Sequence, residues 1–265
     1  MARLRRVLRV AALITMRSVA SKVRTPARRA LAIALMALSI LGCSDQQSSG
    51  NKEASAPKQR AGEPGSSETA RAVPRGNGFD FYVLSLSWSP TWCAENDAEG
   101  RSDQCGSGRY PGFIVHGLWP QNERGYPSFC PSREPDRVSE QLGRRYLDII
   151  PSMGLIGHQW RKHGSCSGLN QAEYFSVVRA ARERVTIPDS LEAPNNRRPK
   201  SPAEIEKVLI GANPGLSASA IGVTCEGNRL EELRICMTPD LEFRSCPEVD
   251  RASCRLKSVT QPAMR

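Results

Sequence analysis

Long apolar runs are missing from this chain. The longest stretch of apolar and small residues, Ala30–Gly42, falls well short of the about 20 residues that a bilayer-spanning helix needs, so a permanent transmembrane helix is not expected. No two cysteines stand as Cys-x-x-Cys, which argues against a zinc ribbon or a thioredoxin-type centre. Histidine is scarce, with three in 265 residues. Acidic residues are absent from positions 1–43, which hold nine of the 37 basic residues. Positions 44–265 carry 28 basic and 27 acidic residues, so the formal +10 belongs almost entirely to the N-terminal segment. Overall charge therefore gives no support for a nucleic-acid partner, and any such argument has to come from a local site.

What is present divides the chain into three parts. In residues 1–43 an Arg/Lys-rich stretch precedes the apolar run and then Cys43, the layout of an export signal. The end of that run, Ile40-Leu41-Gly42-Cys43, resembles a bacterial lipobox, which makes Cys43 the expected lipidation site. Residues 44–78 are rich in Ser, Gly, Pro and charge with almost nothing to bury, and they read as a flexible tether. Residues 79–265 have the composition of one packed domain. The expected location is periplasmic or cell-envelope, as an outer-membrane lipoprotein, with secretion as the alternative. Membrane contact would run only through the lipid on Cys43, and a monomer is expected.

Nine cysteines are present, and setting Cys43 aside leaves an even number in a domain of modest size, as in exported, disulfide-bonded proteins. Spacing does not choose among the many connectivities. A nested arrangement, Cys225–Cys254 outside Cys236–Cys246, would staple a C-terminal hairpin. Cys93–Cys105 would close a local loop, leaving Cys130–Cys166 to tie the middle of the chain to the second histidine segment.

Residues 79–88 are β-rich with partial alternation and read as a central strand, and 112–118 as a second strand with His116 near its end. The apolar spacing over 137–150 predicts a helix. Asn170 with Glu173 predicts a capped helix to about Val185, and Ser201-Pro202-Ala203-Glu204 opens another to about Ile210. Strand-like runs at 221–225, 230–237 and 241–246 complete an α+β fold, a mostly antiparallel sheet with helices packed on one side.

All three histidines lie in two short segments. One is Phe113-Ile114-Val115-His116-Gly117-Leu118-Trp119-Pro120, and the other begins His158-Gln159-Trp160-Arg161-Lys162-His163-Gly164. If the second is helical, with His158 at zero, Lys162 falls at about 40°, Gln159 at about 100° and His163 at about 140°, so four polar groups share one arc. Two imidazoles, an ammonium and a carboxamide on one face suit an anionic reacting group that needs proton transfer and charge stabilisation together. His116 would add a second proton-transfer group. Phosphodiester cleavage of RNA uses that inventory without a cofactor, because the ribose 2′-OH is the nucleophile. No metal site is expected. The His158–His163 spacing is one residue longer than that of a His-Glu-x-x-His helix, and no carboxylate lies between them. Trp88, Trp92 and Trp160 are read as core, with Tyr82 and Tyr126 as further rings able to stack on a base.

Together these two segments resemble the active-site segments of the T2-type ribonuclease family, and the likeness extends from residue 79 through Cys130 and Cys166 to the C-terminal cysteines. The resemblance implies an α+β fold and an endoribonuclease that cleaves single-stranded RNA through a 2′,3′-cyclic phosphate to a 3′-phosphate. It also implies that His116 and His163 exchange base and acid roles, that His158 holds phosphate, that Lys162 stabilises the transition state and that Trp119 lines the pocket. The sequence departs from the family at Gln159, where glutamate is usual. A carboxamide can donate to a phosphorane oxygen but cannot ionise, so retained activity with an altered rate and pH profile is expected. The alternative is a catalytically impaired relative that serves as an RNA- or envelope-binding module.

Overall fold

The computed structural model describes residues 72–106, 112–192 and 198–263, which fall in one compact unit. The expected signal segment, Cys43 and most of the tether lie outside the described residues. In chain order the elements are β1 (Phe81–Trp88), α1 (Ser89–Asn96), β2 (Phe113–Gln121), α2 (Glu140–Gly143), α3 (Met153–Lys162), α4 (Gln171–Glu183), α5 (Asp189–Glu192), α6 (Pro202–Ala212), β3 (Ile221–Glu226), β4 (Arg229–Met237) and α7 (Pro247–Arg251).

The strands form one antiparallel sheet in the order β2-β1-β4-β3, with β1 and β4 central. Side chains alternate across a strand, and β1 uses both faces. Tyr82, Leu84, Leu86 and Trp88 enter the main core, where α4 contributes Tyr174, Phe175, Val177 and Val178, and α6 contributes Ile205 and Leu209. Phe81 and Val83 face the other way, into a small cluster with Cys236, Cys246 and Val249. Ser85 and Ser87 continue that second face and are also buried. The larger helices cover the main-core face as expected, while the short α7 lies on the opposite one, its Val249 against Gly222.

Helix starts follow local chemistry. Asn170 and Glu173 form a capping box for α4, Ser201 and Glu204 another for α6 with Pro202 in its first turn, and the Ser152 hydroxyl accepts from Leu155 N–H to open α3. The helix expected over 137–150 is broken. Only α2 and a single 3₁₀ turn, Arg144–Tyr146, form there. Pro151 disfavours the helical conformation at the residue before it, and the Ile149 carbonyl accepts from Val115 N–H on β2 at 2.9 Å. Residues 241–246 make only an isolated bridge, Met237 to Phe243, rather than a strand. Neither α1 nor α7 is anticipated by apolar spacing, and both carry proline in the first turn.

The disulfides are Cys93–Cys105, Cys130–Cys166, Cys225–Cys254 and Cys236–Cys246. Cys130–Cys166, with the bond from Phe129 N–H to the Lys162 carbonyl (2.9 Å), straps the 122–130 loop to the C-terminal end of α3. Packing against the domain begins just before Phe79. Asn77 N–H donates to the Ser167 carbonyl at 2.9 Å, and Arg75 pairs with Asp240.

Candidate active site

His116 stands at an irregularity in β2. Pairing with β1 jumps from Ser85–Gly117 to Leu86–Val115, which leaves His116 as the extra residue of a β-bulge. Bulges re-aim side chains. Val115 is buried in the main core, while His116 turns to the opposite face with a side chain 37% exposed.

The second segment supplies α3 and its end. Its helix stops at Lys162, and His163 leaves it at φ −123°, ψ −49°, with its N–H still donating to the Gln159 carbonyl at 3.0 Å. The expected helical arc thus holds through Lys162, and the break swings the His163 ring onto Trp119. Those two rings stack with centroids 5.3 Å apart and planes 26° apart. His116 meets the same indole edge-on, also at 5.3 Å. Trp119 therefore stands against both imidazoles.

Gln159 is 1% exposed and accepts from Trp119 Nε1 at 3.0 Å through Oε1. Indole N–H can only donate, so the carboxamide oxygen must face Trp119. Its NH2 group is then the donor left to the cavity that Gln159 lines. Gly117 makes this arrangement possible, because a Cβ there would overlap both the Gln159 carboxamide and the Trp119 indole nitrogen.

A cavity of about 480 Å³ brings together His116, Trp119, His158, Gln159, Lys162 and His163, every residue expected to meet the substrate. Arg234 also lines it, with its guanidinium 5.4 Å over the Trp119 ring. A second cavity of about 840 Å³ adjoins it at His116 and His158. The exposed Trp92 lines this second cavity, so it is not the core residue expected from the sequence. Tyr82 is fully buried and cannot stack on a base, whereas Tyr126 is 60% exposed at the smaller cavity.

Two groups on β4, Glu232 and Arg234, were not anticipated. Glu232 Oε1 lies 2.5 Å from His116 Nδ1 and accepts from Ser87 Oγ at 3.0 Å. Its Oε2 accepts from Arg234 Nε and Nη2 at 3.0 and 2.9 Å. The sequence does carry a faint signal, an acidic and a basic residue at i and i+2 in β4, which must share one face of the sheet.

Electrostatics separates the two histidines that meet Trp119. Burial pushes His163 down to about 3, helped by the charges of Lys162, His116 and His158. Its Nδ1 is shut from solvent without a partner, so nothing there stabilises the imidazolium. His163 is a neutral imidazole at pH 7. His158 is also lowered, by burial first and then by Lys162 and Arg161. Burial works to raise the Glu232 carboxyl, but the hydrogen bond and charge of His116, with Arg234, outweigh it and hold it at about 2. One imidazole is thus held uncharged, and the other faces a fixed anion. Among the described residues, no group of three or more His, Cys, Asp or Glu side chains is placed to hold a metal.

A sequence model described as the Ribonuclease T2 family matches residues 79–246. The chain belongs to that family. The family segment spans both histidine motifs and β4, including Glu232 and Arg234. A ribonuclease of Aeromonas hydrophila is 40% identical over 48% of this chain and 56% of its own length. A probable ribonuclease of Haemophilus influenzae is 35% identical over 42% of this chain and 44% of its own. The chain thus spans about half the length of these two relatives. The solved structure of a ribonuclease-related protein from Calystegia sepium superposes with a TM-score of 0.58 at 21% identity, covering 71% of this chain and all of that one, which is a likeness of fold.

Proposed function

We propose that this chain is an endoribonuclease that cleaves single-stranded RNA by transphosphorylation without a metal, through a 2′,3′-cyclic phosphate to a 3′-phosphate. The observation that carries this reading is the pair of imidazoles, His163 and His116, set against one indole in one cavity with different electrostatic surroundings. His163, neutral at pH 7, takes the proton from the ribose 2′-OH as the oxygen attacks phosphorus. His116 delivers a proton to the 5′-oxygen as its bond to phosphorus breaks. The roles reverse when water opens the cyclic phosphate. Lys162 and Arg234 supply positive charge to the phosphorus oxygens, and the His158 imidazole and the Gln159 NH2 group donate to them. Release of a cyclic phosphate from a ribodinucleotide, with the matching deoxydinucleotide uncut, is the direct test. Cleavage of the deoxy compound would overturn it.

Because His163 must be unprotonated to act as base, the acidic limb of kcat/KM should lie below the ordinary imidazole range. Gln159→Glu would place a carboxylate beside this histidine and favour its protonated form. The acidic limb then moves to higher pH, by about 1 unit for a charge at this range. Superimposable pH profiles of the two proteins would show that position 159 has no part in the proton transfer.

We also propose that the domain works outside the cytoplasm, hung from the outer membrane by a lipid on Cys43, with secretion as the alternative. Four disulfides support an oxidising compartment. Cys43→Ser should move the full chain from the membrane fraction to the soluble one, and an unchanged distribution would refute the anchor.

A further inference from the structure

Resting on the ribonuclease reading, we infer that Glu232 is the positioning residue of His116. It binds the Nδ1 proton, leaves Nε2 as the nitrogen presented to the scissile phosphate, and supplies the counter-charge for the imidazolium that protonates the leaving oxygen.

The sheet builds this contact out of four residues on three strands. His116 on β2 and Glu232 on β4 are separated by the central strand β1. They meet across it because β1 presents serines, Ser85 and Ser87, on that face, and Ser87 is registered opposite both Ile114 and Glu232. A larger side chain at Ser87 would stand between imidazole and carboxylate. The bulge at His116 supplies the remaining reach. Glu232 and Arg234 share the face because they are two residues apart on one strand.

Each carboxylate oxygen of Glu232 has its own donors. Oε2 receives the paired Nε and Nη2 of Arg234, and Oε1 receives Ser87 Oγ and His116 Nδ1. The side chain is only 4% exposed, so water does not replace these partners. An ionised carboxylate can only accept, so the proton in the His116 contact sits on Nδ1. A neutral imidazole with Nδ1–H carries its lone pair on Nε2, and when Nε2 takes a proton the charge faces a buried anion. Partners of this kind govern both the tautomer and the ease of protonation of a working imidazole.

Glu232→Gln is informative because of Arg234. Guanidinium only donates, so the oxygen of the new carboxamide must face Arg234 and its NH2 group must face His116. An NH2 donor there requires an acceptor at Nδ1, which drives the proton to Nε2 and opposes the imidazolium. The substitution reverses the tautomer while barely changing volume.

Other charged groups border His116 and remain in the variant. His158 and Lys162 of α3 and His163 behind it share the smaller cavity. Glu95 of α1, Glu226 of β3 and Glu231 of β4 line the larger one. They contribute the same background to both proteins, so the comparison isolates the Glu232 charge.

The tautomer can be read by long-range ¹H–¹⁵N correlation on the full chain labelled at histidine, with three rings to resolve and His116 assigned from His116→Ala. The wild type should show neutral His116 as Nδ1–H, and Glu232→Gln should show Nε2–H. On a ribodinucleotide the variant should lose about 10²-fold or more in kcat with KM within about twofold, since mutating such a partner costs on this order or beyond. Wild-type His116 as Nε2–H overturns the inference without any variant having to fold. A Glu232→Gln rate within about twofold of wild type also overturns it. A wild type that shows Nδ1–H on His116 yet cleaves no RNA would refute the ribonuclease reading and leave the Glu232–His116 pairing standing.

Discussion

His163→Ala and His116→Ala should each lower kcat/KM for a ribodinucleotide by about 10³-fold, within the 10²–10⁴ range that positioned acid–base groups supply. The two act on one displacement, one removing a proton as the other delivers one. The double substitution should therefore cost little more than either single one, not the product of the two. Fold loss is not expected to explain the effect. The core that carries the domain lies on the opposite face of the sheet, among Tyr82, Leu84, Leu86 and the α4 residues. Melting temperature should shift by only a few degrees in His116→Ala, whose side chain is 37% exposed. EDTA should leave wild-type activity unchanged, and inhibition reversed by added zinc would point to a metal-assisted reaction instead. Either single variant cleaving within about tenfold of wild type would remove that histidine from the mechanism.

Gly117→Ala should also be damaging, without touching a group that transfers a proton. The added Cβ would overlap the Gln159 carboxamide and the Trp119 indole nitrogen, which are bonded to one another. Gln159 is almost fully buried and cannot step aside. Trp119 would have to move, and both imidazoles contact it. Inserting a methyl group into so close a space costs about 1–3 kcal/mol of stability. A displacement of about 1 Å at the reacting groups can cost about 10²-fold in rate. The expected result is a folded, less stable protein with kcat/KM down by about that factor. Wild-type kinetics in this variant would mean that Trp119 does not align the two histidines.

Much of the site was legible because it is local. The second histidine segment needs only helical periodicity to bring His158, Gln159 and Lys162 onto one face, and α3 obeys it as far as Lys162. Capping residues announce α4 and α6 because a capping box is satisfied within four residues. The scarcity of histidine mattered too, since a chain with three imidazoles in two motifs leaves few ways to place its proton transfer. Expectations failed where a distant partner intervened. The segment 137–150, expected as one helix, ends on a bond from Val115 N–H of β2 to the Ile149 carbonyl, and Trp92, expected in the core, lines a cavity.

What the sequence by itself determined was the inventory: which polar side chains gather in one cavity, which helices are capped, and the sheet-and-helix class of the fold. Gln159 shows how far such a reading reaches. Its identity as a carboxamide was plain, but its orientation emerged only once Trp119 was seen to hold its oxygen. Glu232 and Arg234 are the stronger case. They lie over a hundred residues from His116, and nothing in their neighbourhood along the chain marks them as its partners. Strand order and register decided that, by setting β2 and β4 on either side of a strand whose serines let their side chains meet. Local rules act over a few residues, but a partner across a sheet is chosen by the packing of the whole domain.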